Sequence, residues 1–117
     1  MKTVLIVDDE QKTRTLLQDV LALRGYGTCS SGNLKGAEEI MQQRQVDVVL
    51  CDVMLPDGNG FEFRKRLVDP PPFLFFSCND DAFISYCADG ESSFLMKPLN
   101  IKVLLSMVDD LAGKVPN

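Results

Sequence analysis

Three kinds of reactive side chain recur in this sequence at one kind of place, directly after a short apolar run. Thr3-Val4-Leu5-Ile6-Val7 ends in Asp8-Asp9-Glu10, and Val48-Val49-Leu50-Cys51 ends in Asp52. Phe73-Leu74-Phe75-Phe76 is followed by Ser77, and Phe94-Leu95-Met96 by Lys97. Singly, each has a plain structural explanation. Asp8 and Asp9 could cap a helix, Asp52 could open a turn, Ser77 could merely end a strand and Lys97 could be a surface charge. Jointly, acids, a hydroxyl and an amine at the same end of different strands amount to the parts of a site. Two carboxylates about 4 Å apart repel by about 4 kcal/mol at an effective dielectric of about 20, so three of them call for a cation. An all-oxygen ligand set in a chain with no histidine favours Mg²⁺ (or Mn²⁺). A carboxylate beside such a cation, a hydroxyl and a lysine can accept a phosphoryl group, because nucleophile, charge neutralisation and phosphate-oxygen partners are all supplied.

The elements that must position these groups alternate along the chain. Thr3 to Val7 is rich in β-branched residues and reads as a buried strand. Gln11 to Arg24 carries Leu16, Leu17, Val20, Leu21 and Leu23 at helical spacing, with Gly25 as its stop. Tyr26 to Ser30 is a weaker strand. Asn33 to Arg44 is a second helix, capped by Asn33 and apolar at Leu34, Ala37, Ile40 and Met41. Val46 to Cys51 is a second buried strand, and Leu55 to Gly60 is dense in turn residues. A helix from Phe61 to Val68 stops before Pro70-Pro71-Pro72, which cannot continue it. Phe73 to Phe76 is a third buried strand, Asp80 to Ala88 a short helix closed by Gly90, and Ser92 to Met96 a last strand. Ile101, Leu104, Leu105, Val108 and Leu111 mark a final amphipathic helix. Such alternation, with near-continuous apolar strands, implies a doubly wound α/β fold: five parallel strands with five helices covering both faces. Ligands of open parallel sheets bind beyond the carboxyl ends of the strands, which is where the reactive residues collect.

The bulk properties narrow the function. A chain of 117 residues makes one domain. A formal net charge of −5 argues against direct nucleic-acid binding, which needs a basic stripe; Arg64-Lys65-Arg66 reads as a solvated helix face. No apolar run approaches a membrane span, and the first residues run into a strand without a signal-peptide cleavage region, so a cytoplasmic protein is expected. Cys29, Cys51, Cys78 and Cys87 form no CxxC pair and are expected to be buried thiols rather than disulfides or a zinc site. Without histidine, serine–histidine and cysteine–histidine catalysis are excluded.

In order, Ile6-Val7-Asp8-Asp9-Glu10, Asp52-Val53-Met54-Leu55-Pro56-Asp57-Gly58-Asn59-Gly60 and Gly90 to Pro98 resemble the receiver domain of two-component response regulators over almost the whole chain. The resemblance implies strand order 2-1-3-4-5 in a three-layer sandwich, a receiver domain over 1–112, and 113–117 as a flexible tail or linker stub. It implies that Asp52 is the phosphoacceptor, that Asp9, Asp52 and the backbone carbonyl of Met54 bind the metal, and that Asp8 acts through water. Lys97, joined to Pro98 by an expected cis bond, would pair with a phosphoryl oxygen. Ser77 would hydrogen-bond the phosphoryl group, and Phe94 would turn inward as Ser77 moves. The implied partners are a sensor histidine kinase or histidine phosphotransfer protein and an output domain or target.

Three features depart from the family pattern. Ser77 and Lys97 stand slightly closer in sequence than is usual, which shortens the helix near 80–88. Cys78 occupies a position where alanine is common. The Pro70-Pro71-Pro72 run is unusual, and no function is assigned to it. Among rival readings, a haloacid-dehalogenase-type phosphatase needs an aspartate two residues after the nucleophile, where Met54 stands. A flavodoxin-like flavin carrier needs a phosphate loop where this chain has acids. A pseudo-receiver acting only as an interaction module would not need the full set Asp8, Asp9, Asp52, Ser77 and Lys97.

Overall fold

The structure, a computed structural model, describes residues 1–78 and 93–113. The expected helix from Asp80 to Ala88, with Cys87, Gly90 and Ser92, lies outside the described residues, as do positions 114–117 of the tail.

The elements run β1 (Thr3–Val7), α1 (Gln11–Leu23), β2 (Gly27–Ser31), α2 (Leu34–Gln43), β3 (Val48–Asp52), β4 (Met54–Leu55), β5 (Gly58–Asn59), α3 (Gly60–Arg66), β6 (Phe73–Ser77), β7 (Ser93–Met96) and α4 (Ile101–Gly113). The main sheet has the order β2-β1-β3-β6-β7, with every neighbouring pair parallel. This is the expected doubly wound order once the short β4–β5 hairpin, which pairs only with itself, is set aside. Among the described residues there are four helices, and none is long and apolar enough to cross a membrane.

Alternation along the strands builds two separate cores. Val4, Ile6, Val48, Leu50, Leu74 and Phe76 face one side, where they pack with Leu17 and Leu21 of α1 and Leu104 and Val108 of α4. Leu5, Val7, Val49, Cys51, Phe73 and Phe75 face the other, against Leu34 and Ala37 of α2 and Phe61 and Phe63 of α3. The central strands β3 and β6 are buried along their whole length, which is why they read as unbroken apolar runs rather than alternating ones.

The apolar pattern overstated the buried face of α1. Leu17 and Leu21 are fully buried, but Leu16 is 50% and Leu23 89% exposed. At about 100° per residue, Leu16 and Leu23 fall well away from the stripe that Leu17 and Leu21 centre. The expected helix to Val68 ends at Arg66, and Val68 is 91% exposed.

Candidate functional site

Strand register brings the reactive residues together. Val7 lies beside Cys51, so Asp8 and Asp52 leave their strands side by side. Asp52 itself pairs with Phe76, and Ser77 with Met96, the residue before Lys97. Side-chain alternation then separates two groups. Asp8, Asp52 and Lys97 continue the parity of Ile6, Leu50 and Leu95, toward α1 and α4. Ser77 continues the parity of Phe75, the side on which Phe94 packs.

The first group converges. Lys97 Nζ lies 3.0 Å from Asp8 Oδ2 and 3.0 Å from Asp52 Oδ2, so one ammonium bridges two carboxylates. Asp8 is fully buried and Asp52 nearly so. The remaining oxygens are held by backbone: Glu10 N–H donates to Asp8 Oδ1 (2.8 Å) and Met54 N–H to Asp52 Oδ1 (3.0 Å). Lys97 Nζ also stands 5.4 Å from the centre of the Phe76 ring, and the Lys97–Pro98 bond is cis, as expected.

Burial pushes the Asp8 carboxyl above its ordinary value; its bonds to Glu10 N–H and to Lys97 only partly oppose this, and Asp52 nearby adds to the rise. For Lys97, burial favours the neutral amine, but the hydrogen bonds and charges of Asp52 and Asp8 outweigh it and hold the ammonium above its ordinary value. One lysine thus faces two buried carboxylates. Asp9 is exposed beside the pair, and Asp8, Asp9 and Asp52 each offer an oxygen within 4.8 Å of the others, so together they could hold a metal ion. Oxygen-only donors in surplus over the local cation suit a hard divalent ion.

Ser77, at the end of β6, is 2% exposed. Phe94 is half-buried, with its ring 6.5 Å from that of Phe61. Met54 exposes its side chain and meets Asp52 through its main chain. The expectation of buried cysteines holds for Cys51, whose thiol burial pushes up, and partly for Cys29. It fails for Cys78, which is exposed because it lies past the end of β6, on a cleft shared with Lys97, Glu10 and Pro98.

Two residues near the site escaped the sequence reading. Arg14 Nη1 donates to the Asp8 carbonyl at 2.7 Å, fixing the acidic turn from α1. Asp57, read as a turn residue, accepts the Leu34 and Lys35 N–H groups at 2.9 and 3.0 Å. Neither has a local sequence signal, since each acts on a backbone group brought close only by the fold. Gly60 has a steric reason: a Cβ there would lie 2.7 Å from the Asp52 carbonyl oxygen and 3.0 Å from Cys51 Sγ.

Residues 4–109 match the family model described as the response regulator receiver domain. The chain is 30% identical over 112 residues to the phosphate regulon transcriptional regulatory protein PhoB of Pseudomonas aeruginosa, covering 90% of this chain and 49% of that protein. It is 33% identical over 107 residues to a cyclic di-GMP phosphodiesterase of Thermotoga maritima, covering 87% of this chain and 28% of that one. The crystal structure of the receiver domain of the TMAO respiratory system response regulator TorR superposes with a TM-score of 0.86 at 28% identity, covering 99% of this chain and 100% of that one. The chain thus spans half or less of the curated relatives it matches.

Proposed function

The chain belongs to the response regulator receiver domain family, and from that premise we propose that it accepts a phosphoryl group on Asp52 and passes the signal on through its surface. The observation that carries this is the bridge from Lys97 to Asp8 and Asp52 at the carboxyl ends of three strands.

A chain without histidine takes its phosphoryl group from elsewhere: a phosphohistidine on a sensor histidine kinase or histidine phosphotransfer protein, or a small donor such as acetyl phosphate. An Asp52 oxygen forms the new P–O bond as the bond to the donor breaks, and the leaving group keeps the electron pair. Met54 N–H holds the Asp52 carboxylate in place, and Lys97 turns from carboxylate to phosphoryl oxygen as charge grows there. Ser77, at the end of β6, swings inward to give the phosphoryl group a hydrogen bond, and Phe94, which shares its face of the sheet, turns inward as it moves. Asp9, Asp52 and the Met54 carbonyl would hold Mg²⁺ (or Mn²⁺), with Asp8 acting through water. When bound, the cation offsets the charge of the carboxylates and of the phosphoryl oxygens. The chain is a phosphoacceptor that promotes its own phosphorylation and dephosphorylation, not an enzyme acting on a separate substrate. It works in the cytoplasm, and its output is a linked domain or a separate target; direct nucleic-acid contact by this domain is not part of the reading.

The test is incubation with acetyl phosphate and Mg²⁺ followed by intact mass. Wild type should gain one phosphoryl group and Asp52→Asn none. No adduct on wild type, or an equal adduct on the variant, overturns the assignment.

A further inference from the structure

We propose that Asp57 is a positioning residue: by fastening the tip of the β4–β5 hairpin to the N-terminus of α2, it fixes the Met54 main chain and, through it, Asp52. The inference rests on the function proposed above and deepens it.

Asp57 is exposed and lies outside the site, yet both its carboxylate oxygens are engaged. Oδ1 accepts from Leu34 N–H and Oδ2 from Lys35 N–H, the first two N–H groups of α2, where a carboxylate is electrostatically favoured. The helix has its own cap as well, because Asn33 Oδ1 accepts from Gly36 N–H at 2.7 Å. With the third N–H satisfied from within, a second cap from a loop more than twenty residues away constrains the loop more than the helix.

That loop needs constraint. The hairpin consists of two residue pairs, Met54 with Asn59 and Leu55 with Gly58, joined across Pro56 and Asp57. A two-stranded ribbon this short is marginal alone, so its anchors set its shape. At its base, Gly60 N–H bonds the Val53 carbonyl (2.8 Å) and the Asn59 side chain caps α3. At its tip, the Asp57 carboxylate is the anchor, and Gly58 lies close against the Leu34 side chain. Between these two anchors sits Met54, whose N–H holds Asp52 Oδ1 and whose carbonyl is a proposed metal ligand. A continuous path of contacts therefore runs from α2 through Asp57 and the hairpin to the phosphoacceptor.

The experiment is Mg²⁺ titration by calorimetry on the full chain, at a temperature where circular dichroism shows each variant folded. Asp57→Ala should raise the Mg²⁺ Kd by about 10-fold, the size expected for an outer-shell partner. Asp57→Asn keeps one accepting oxygen and should show a smaller rise. Asn33→Ala removes the helix's own cap without releasing the hairpin, and should lower the melting temperature with Kd unchanged. Hydrogen exchange at the Met54 amide should quicken in Asp57→Ala and not in Asn33→Ala. An unchanged Kd in Asp57→Ala, or an equal rise in Asn33→Ala, overturns the positioning role alone. Wild type that takes up no Mg²⁺ overturns the function proposed above and this inference with it. Should Asp57→Ala not fold, Asp57→Asn carries the comparison, and a wild-type Kd there overturns the role.

Discussion

The two ends of the sheet carry similar charged residues and treat them oppositely. At the amino end, Asp109 accepts from the Tyr26 hydroxyl and from the Arg24 guanidinium, and Asp47 takes the Thr3 N–H and the Gln45 amide. Lys2 donates to the Ala112 carbonyl. These acids meet enough donors. At the carboxyl end, Asp8, Asp9 and Asp52 crowd around one lysine, and two of the three acids are buried. Charge that is balanced ties the turn between α1 and β2 to α4; charge left in excess could hold a cation.

The pKa directions carry the same contrast. Bonds from Tyr26 and then Arg24 hold Asp109 below its ordinary value, whereas burial lifts Asp8 above it. A depressed carboxyl adds stability above its unfolded value, and that stability is lost as pH falls through the folded value. A raised one adds stability only in acid and loses it as pH rises through the folded value, so at neutral pH ionised Asp8 is a net cost.

The largest effect should come from removing the lysine. Lys97→Ala leaves two buried carboxylates without their cation; because Lys97 is partly solvated, the expected loss is about 2 kcal/mol, below that of a fully buried pair. Urea unfolding in a chelating buffer should show it, and Mg²⁺ should restore much of it by binding the native state. A loss that Mg²⁺ leaves untouched would mean the acids do not share a cation site. Next, Asp8→Asn should stabilise the metal-free protein by less than the Lys97→Ala loss, since it leaves Lys97 paired with Asp52. The gain should be full at neutral pH and fade as pH falls through the carboxylate range. A loss of stability at pH 7 would overturn the view that the two ends differ. The smallest effect is expected at the balanced end, where the partners are solvent-exposed. Asp109→Asn should reduce the acid loss of stability, and urea midpoints from about pH 5 down to about pH 2 compare it with wild type.

Much of the site was legible in the sequence because it sits where the backbone pattern changes. Asp8, Asp52, Ser77 and Lys97 each follow an apolar run, and a parallel sheet gathers such positions at one edge. The contributions of Arg14 and Asp57 were not legible. Arg14 acts on a carbonyl six residues back, and Asp57 on two N–H groups of a different element. Nothing in residue type marks which backbone group a side chain will meet. Cys78 was misjudged for a related reason: its position one residue past β6 decides its exposure, not its apolar character.

The sequence by itself determined the alternation of strands and helices, the two-sided burial of β3 and β6 and the side chains at the strand ends, because these follow from period and composition. Only the tertiary structure decided which carboxylates share Lys97 and that Ser77 and Phe94 lie on the opposite face from them. It also decided that a hairpin tip is tied to α2. Those outcomes depend on inter-strand register and on through-space distance, and a one-residue shift in register would reverse every facing without changing the sequence pattern.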